Sequence, residues 1–151
     1  MEQLGFEQAI KYAIAKEKEA QQLYARMANI SDDPVAKSFF LEMAHEEEKH
    51  EHMLATLKDK GATSGIEFKQ PLDMQIVDYL KPAKFAEDIS YKDALVFAAN
   101  REKEAAAYYE HMATVVNDGT ARELFANLSK WEMGHKAKIE AEYEKHFMQE
   151  N

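Results

Sequence analysis

The stretch Ala44-His45-Glu46-Glu47-Glu48-Lys49-His50-Glu51-His52 decides how this chain is read. Residues three apart share one face of an α-helix, with Cβ atoms about 5–6 Å apart, so Glu47 and His50 can grip one ion together. Glu42 and His45 have the same spacing, and periodicity separates the two pairs. Counting back from Glu47, the residues at 3, 4, 7 and 11 positions are Ala44, Met43, Phe40 and Ala36, and ahead of His50 come Met53, Leu54 and Leu57. Glu47 and His50 therefore interrupt an apolar stripe. Glu42 and His45 share their face with Glu46, Lys49 and His52, a face that reads as solvent-exposed.

Outward from this stretch, the pattern predicts four helices. Phe6, Ile10, Ala13, Glu17, Ala20, Tyr24, Met27 and Ala28 recur at helical spacing between Gln3 and Ile30. Ser31-Asp32-Asp33-Pro34 supplies a turn, an N-cap and a proline suited to the first helical position, so a second helix is expected to run to Lys60 and stop at Gly61. Residues 61–89 hold Gly61, Gly65, Pro71 and Pro82 with one short amphipathic piece, Met74 to Leu80, and read as a long crossover. Ser90 caps a third helix with the stripe Tyr91, Leu95, Ala98, Glu102, Ala105, Tyr109, Met112 and Ala113. Asn117-Asp118-Gly119-Thr120 turns into a fourth, with Ala121, Phe125, Leu128, Glu132, His135 and Ile139 along one face. The expectation is an all-α, antiparallel four-helix bundle in a single domain, 1–151, made of hairpins 3–60 and 90–146.

The second hairpin repeats the first at one ungapped offset of 85 residues, pairing Glu17 with Glu102, Tyr24 with Tyr109, Phe40 with Phe125, Glu47 with Glu132 and His50 with His135. Two like hairpins in a bundle place equivalent residues about a pseudo-twofold axis. Glu17 and Glu47 are equidistant from Asp32 in the first turn, and Glu102 and Glu132 from Asn117 in the second. At about 1.5 Å rise per residue, the members of each pair share one level in their hairpin. Burying one unpaired charge costs several kcal/mol, so four core glutamates would defeat a domain stabilised by about 5–15 kcal/mol in all, unless cations met them. Two divalent ions would cancel four carboxylates. Glu17, Glu47, His50, Glu102, Glu132 and His135 are thus the expected ligands of two metal ions per chain, with Glu47 and Glu132 as the bridges. Oxygen and imidazole donors without thiolate suit iron first, with manganese and zinc also admissible. Tyr24 and Tyr109, on the same stripes, are expected to hydrogen-bond either a ligand carboxylate or the backbone, since a buried phenol needs a partner. Trp131 and the methionines read as packing residues, and His45, His52, His111 and His146 as solvated.

Composition narrows the classes. The formal net charge of -9 argues against a nucleic-acid surface, and no apolar run approaches the roughly 20 residues that span a bilayer. With 46% hydrophobic residues and no targeting pattern at the start, the chain reads as an ordinary cytoplasmic globular protein. The absence of cysteine removes disulfides, cysteine-bound zinc, iron–sulfur ligation and thiol catalysis.

Glu17-Lys18-Glu19-Ala20 with Tyr24, Ala44 through His50, Glu102-Lys103-Glu104-Ala105 with Tyr109, and Glu132 through His135 resemble the rubrerythrin branch of the ferritin-like superfamily, over nearly the whole chain apart from 61–89. The resemblance implies a ferritin-like bundle binding two irons and reducing hydrogen peroxide. Rubrerythrins carry a further ligand glutamate one turn along the third helix, where this sequence has Ala105. They also usually carry a cysteine-ligated rubredoxin domain, so the reductant here is expected to be an external, rubredoxin-type donor and the oxidant peroxide or oxygen. Ferroxidase-type iron storage and a metal-stapled structural bundle are the alternatives. No sequence feature points to cage contacts, and a homodimer is the expected assembly.

Overall fold

The computed structural model describes residues 4–70, 72, 86 and 88–148. Its elements are α1 (Phe6–Ile30), α2 (Pro34–Ser64), α3 (Tyr91–Val115) and α4 (Gly119–Tyr143), followed by a π-helical turn, Glu144–Met148. The architecture is a four-helix bundle in which α1 packs along α2 and α3 along α4.

Local chemistry sets the hairpin turns, and it repeats. Asp33 accepts from the Val35 N–H at 3.0 Å with Pro34 at the first helical position, and Asp118 accepts from the Ala121 N–H at 2.9 Å, each satisfying a helix-end donor that would otherwise lack a partner. Ser90 does the same for α3 through the Asp93 N–H at 3.1 Å.

The second helix passes through Gly61, the expected stop, and ends at Gly65, whose φ of 68° is the left-handed conformation that closes helices. Packing explains the glycine at 61. A Cβ there would lie 2.7 Å from the Phe6 ring, which is wedged edge-on against Phe68 and tilted against Phe125. Gly61 is a point of close helix approach. The first helix begins at Phe6, and the expected piece at Met74 to Leu80 lies outside the described residues.

Just past Gly65, the chain is pinned to the turn between α3 and α4. Lys69 N–H donates to the Val115 carbonyl at 2.6 Å, Asn117 N–H to the Glu67 carbonyl at 2.9 Å, and the Asn117 side chain accepts from Glu67 N–H. At the opposite end, the start of α3 meets the start of α2, where the Tyr91 ring lies edge-on to Phe40 at 5.9 Å. The two hairpin turns therefore sit at opposite ends of the bundle, and the pseudo-twofold axis crosses it between them.

The apolar core is split in two. One half gathers Ile10, Leu54, Tyr108, Met112, Phe125 and Leu128; the other gathers Tyr24, Met27, Phe40, Met43, Leu95 and Ile139. Between them lies a polar layer.

Candidate metal centre

Glu17 on α1, Glu47 and His50 on α2, Glu102 on α3, and Glu132 and His135 on α4 fill that layer, and all six are buried. They fall into two groups of four, Glu17-Glu47-His50-Glu132 and Glu47-Glu102-Glu132-His135, with donor atoms within 4.8 Å of one another in each. Glu47 and Glu132 belong to both.

Each of the six has one buried atom without a hydrogen-bond partner among the described residues: Glu17 Oε2, Glu47 Oε1, His50 Nδ1, Glu102 Oε2, Glu132 Oε1 and His135 Nδ1. His50 Nδ1 lies 3.2 Å from Glu132 Oε1, and His135 Nδ1 lies 2.8 Å from Glu47 Oε1, yet neither contact has the direction of a hydrogen bond. Their lone pairs converge instead of pairing. Buried polar atoms left unpaired cost about 1–3 kcal/mol each, and six converging oxygen and nitrogen acceptors are the donor set of a cation site. The residues fit a pair of divalent ions.

Electrostatics reflect the crowding. Burial, reinforced by repulsion from Glu132, Glu17 and Glu102, pushes Glu47 well above the carboxylate range, and burial with repulsion from Glu132 also raises Glu102. Glu17 goes the other way: burial alone would raise it, but interactions with Glu47 and His50 and the charge of Arg101 bring it down to about 2. His50, which burial would lower, is raised to about 10 by Glu132 and Glu17. His135 is raised by Glu102, Glu132 and Glu46 against its burial. Without metal, protons on the two imidazoles join the Arg101 guanidinium as the cations among these carboxylates.

Tyr24 donates its hydroxyl to Glu102 Oε1, and Tyr109 donates to Glu17 Oε1 at 2.5 Å. Each hairpin's tyrosine thus reaches across to the other hairpin's glutamate, as a twofold axis requires.

Three neighbours of this layer escaped sequence reasoning. Glu46, read as solvent-facing, is only about one-third exposed, and its Oε2 lies 2.6 Å from His135 Nε2, leaving Nδ1 directed into the cluster. Arg101 is buried to 9% side-chain exposure, with its guanidinium among the carboxylates. Trp131, read as packing, is 40% exposed and stacks on His50 at 5.4 Å. Each immediately precedes a cluster glutamate. A residue one position back is turned about 100° round the helix, off the inward stripe and onto the seam with the next helix, so a test for one face overlooks it. The signal was the basic residue before the glutamate in both repeats, Lys16-Glu17 and Arg101-Glu102. The excluded pair Glu42 and His45 is exposed.

Among known families, the rubrerythrin model matches residues 8–143. The chain belongs to the rubrerythrin family. No curated protein matches its sequence. Among solved structures, a hypothetical protein from Pyrococcus furiosus is similar at 23% identity and a TM-score of 0.73, over 91% of this chain and 87% of that one. A Thermotoga maritima protein described as a ferritin-like diiron-carboxylate protein is similar at 18% identity and a TM-score of 0.72, over 95% and 97%. At these identities the likeness establishes the shared fold. Within this rubrerythrin-family site, Ala105 is fully buried where a further glutamate would stand, and Glu104 is exposed. Among the described residues, no helix is long and apolar enough to cross a membrane.

Proposed function

We propose that this protein is a di-iron oxidoreductase that reduces hydrogen peroxide or oxygen with electrons from an external, rubredoxin-type donor. The observation that carries the reading is the set of six converging, unpaired donor atoms divided into two groups that share Glu47 and Glu132. Family membership supports it, as does the diiron-carboxylate description of the Thermotoga relative.

In this reading Glu47 and Glu132, common to both groups, would be shared between the two ions, and His50 and His135 would each hold one. Glu17 and Glu102 are terminal ligands. Two irons, when bound, supply the two electrons that convert peroxide and two protons to two waters. The chain's part is to hold that chemistry in a dry layer and to keep its ligands aimed. Tyr24 and Tyr109 orient Glu102 and Glu17 by hydrogen bonds, and Glu46 fixes the His135 ring so that Nδ1 faces inward. With Ala105 in place of a further carboxylate, ligand movement falls to Glu17 and Glu102.

The test is stopped-flow oxidation of the anaerobic ferrous protein by peroxide and by oxygen, in wild type and Glu132→Ala. Peroxide is expected to react faster than oxygen, and the variant to lose the rapid phase. Oxidation by peroxide no faster than by oxygen would overturn the peroxidase assignment. An unchanged rate in Glu132→Ala would overturn the site.

A further inference from the structure

The four carboxylates of the polar layer each divide their two oxygens. One set, Glu17 Oε2, Glu47 Oε1, Glu102 Oε2 and Glu132 Oε1, has no hydrogen bond among the described residues, and those of Glu17, Glu47 and Glu132 lie 3.6, 2.8 and 3.2 Å from an imidazole Nδ1. The complementary oxygens face one guanidinium. Arg101 Nη1 donates to Glu132 Oε2 at 2.9 Å, to Glu102 Oε1 at 3.1 Å and to Glu47 Oε2 at 3.4 Å, while Nη2 lies 3.9 Å from Glu17 Oε1 and donates to the Lys16 carbonyl at 3.4 Å. A carboxylate that bridges two ions gives one oxygen to each. The second oxygen of both bridge candidates, Glu47 and Glu132, is held by Arg101.

We infer that Arg101 is a positioning residue that makes the two metal positions unequal, the first ion binding beside its guanidinium and the second having to displace it from Glu47 and Glu132. This rests on the di-metal reading above and extends it to the order of loading. Charge counting leads the same way. Metal binds the carboxylates ionised and the imidazoles neutral, and with the ligands in that form arginine, which stays protonated in proteins, reduces the layer's four negative charges to three. The first divalent ion meets three of them and the second meets only one, in surroundings where an excess charge is poorly solvated. The repeat does not share this feature symmetrically: Lys16, the counterpart of Arg101, places its ammonium 3.3 Å from Glu19. A lysine is a point donor, whereas the guanidinium fork reaches several carboxylates at once. Arg101 thus adds a charge difference at the shared carboxylates to the difference that Glu46 on His135 and Trp131 on His50 already make between the halves.

The experiment is anaerobic titration of the purified, metal-free protein with Co(II), followed by calorimetry and by visible absorption, in wild type, Arg101→Gln and Arg101→Lys. In the wild type the second dissociation constant is expected to exceed the first by tenfold or more. Arg101→Gln is expected to shrink that ratio at least tenfold, and Arg101→Lys to shrink it less. A general loss of packing would weaken both steps and leave the ratio unmoved. Should Arg101→Gln fail to fold without metal, Arg101→Lys decides, since it keeps the charge and loses the fork. A ratio unchanged in the variants would overturn the role of Arg101 while leaving the di-metal reading in place. Failure of the wild type and both variants alike to take up a second ion would overturn both.

Discussion

Raising the pH of the metal-free protein from 6.5 to 10 should destabilise it steeply. The folded layer raises His50 from 6.5 to about 10, because Glu132 and Glu17 hold its imidazolium against the effect of burial. A group whose folded value lies above its unfolded one contributes stability that is complete below the unfolded value and is lost as pH rises through the folded one. About 3.5 units at 1.36 kcal/mol each come to about 5 kcal/mol for His50 alone, as much as the whole stability of a marginal domain. Glu47 acts in the same direction, since its raised value means that ionisation above pH 4.5 works against the fold. Glu17 acts oppositely at the acid end: its value of about 2 gives stability that is present above 4.5 and lost as pH falls through 2. Metal-free stability should therefore be highest near pH 4.5, fall above it as Glu47 is drawn to ionise, and fall more steeply above 6.5 as His50 joins. The assay is urea denaturation in chelator, followed by far-ultraviolet circular dichroism from about pH 4.5 to 10, with metal-loaded protein in parallel. Bound ions replace the imidazole protons, so the loaded protein should lose much less stability toward pH 10. A metal-free stability that stays level or rises between pH 6.5 and 10 would refute the reasoning.

Glu46→Ala removes the carboxylate on His135 Nε2 and should weaken binding of one ion by about 10–100-fold, with the other nearly unaffected, as read by chelator competition. Tyr24→Phe leaves Glu102 Oε1 without the tyrosine's hydrogen bond in a buried layer and should cost about 1–3 kcal/mol in urea unfolding, with little change in helix content.

Much of the fold is legible because its causes are local or periodic. The Asp33 and Asp118 caps, the inward stripes and the 85-residue repeat are properties of short segments, and together they imply two hairpins whose glutamates share a level. Gly61 shows the limit. Alone, a glycine after a helical run reads as a stop, and only the Phe6 ring from the neighbouring helix gives it another role.

The sequence by itself determined the bundle, the twofold relation of its halves and which six polar side chains lie on its inward stripes. Only the tertiary structure decided what stands beside them: Glu46 on His135, Trp131 on His50, and above all Arg101 between the carboxylates. The reason is that helical periodicity assigns a residue to a face of its own helix, whereas a side chain on the seam finds its partner on another helix. Which partner that is depends on the rotation and axial offset of the packed pair, and no single helix encodes those.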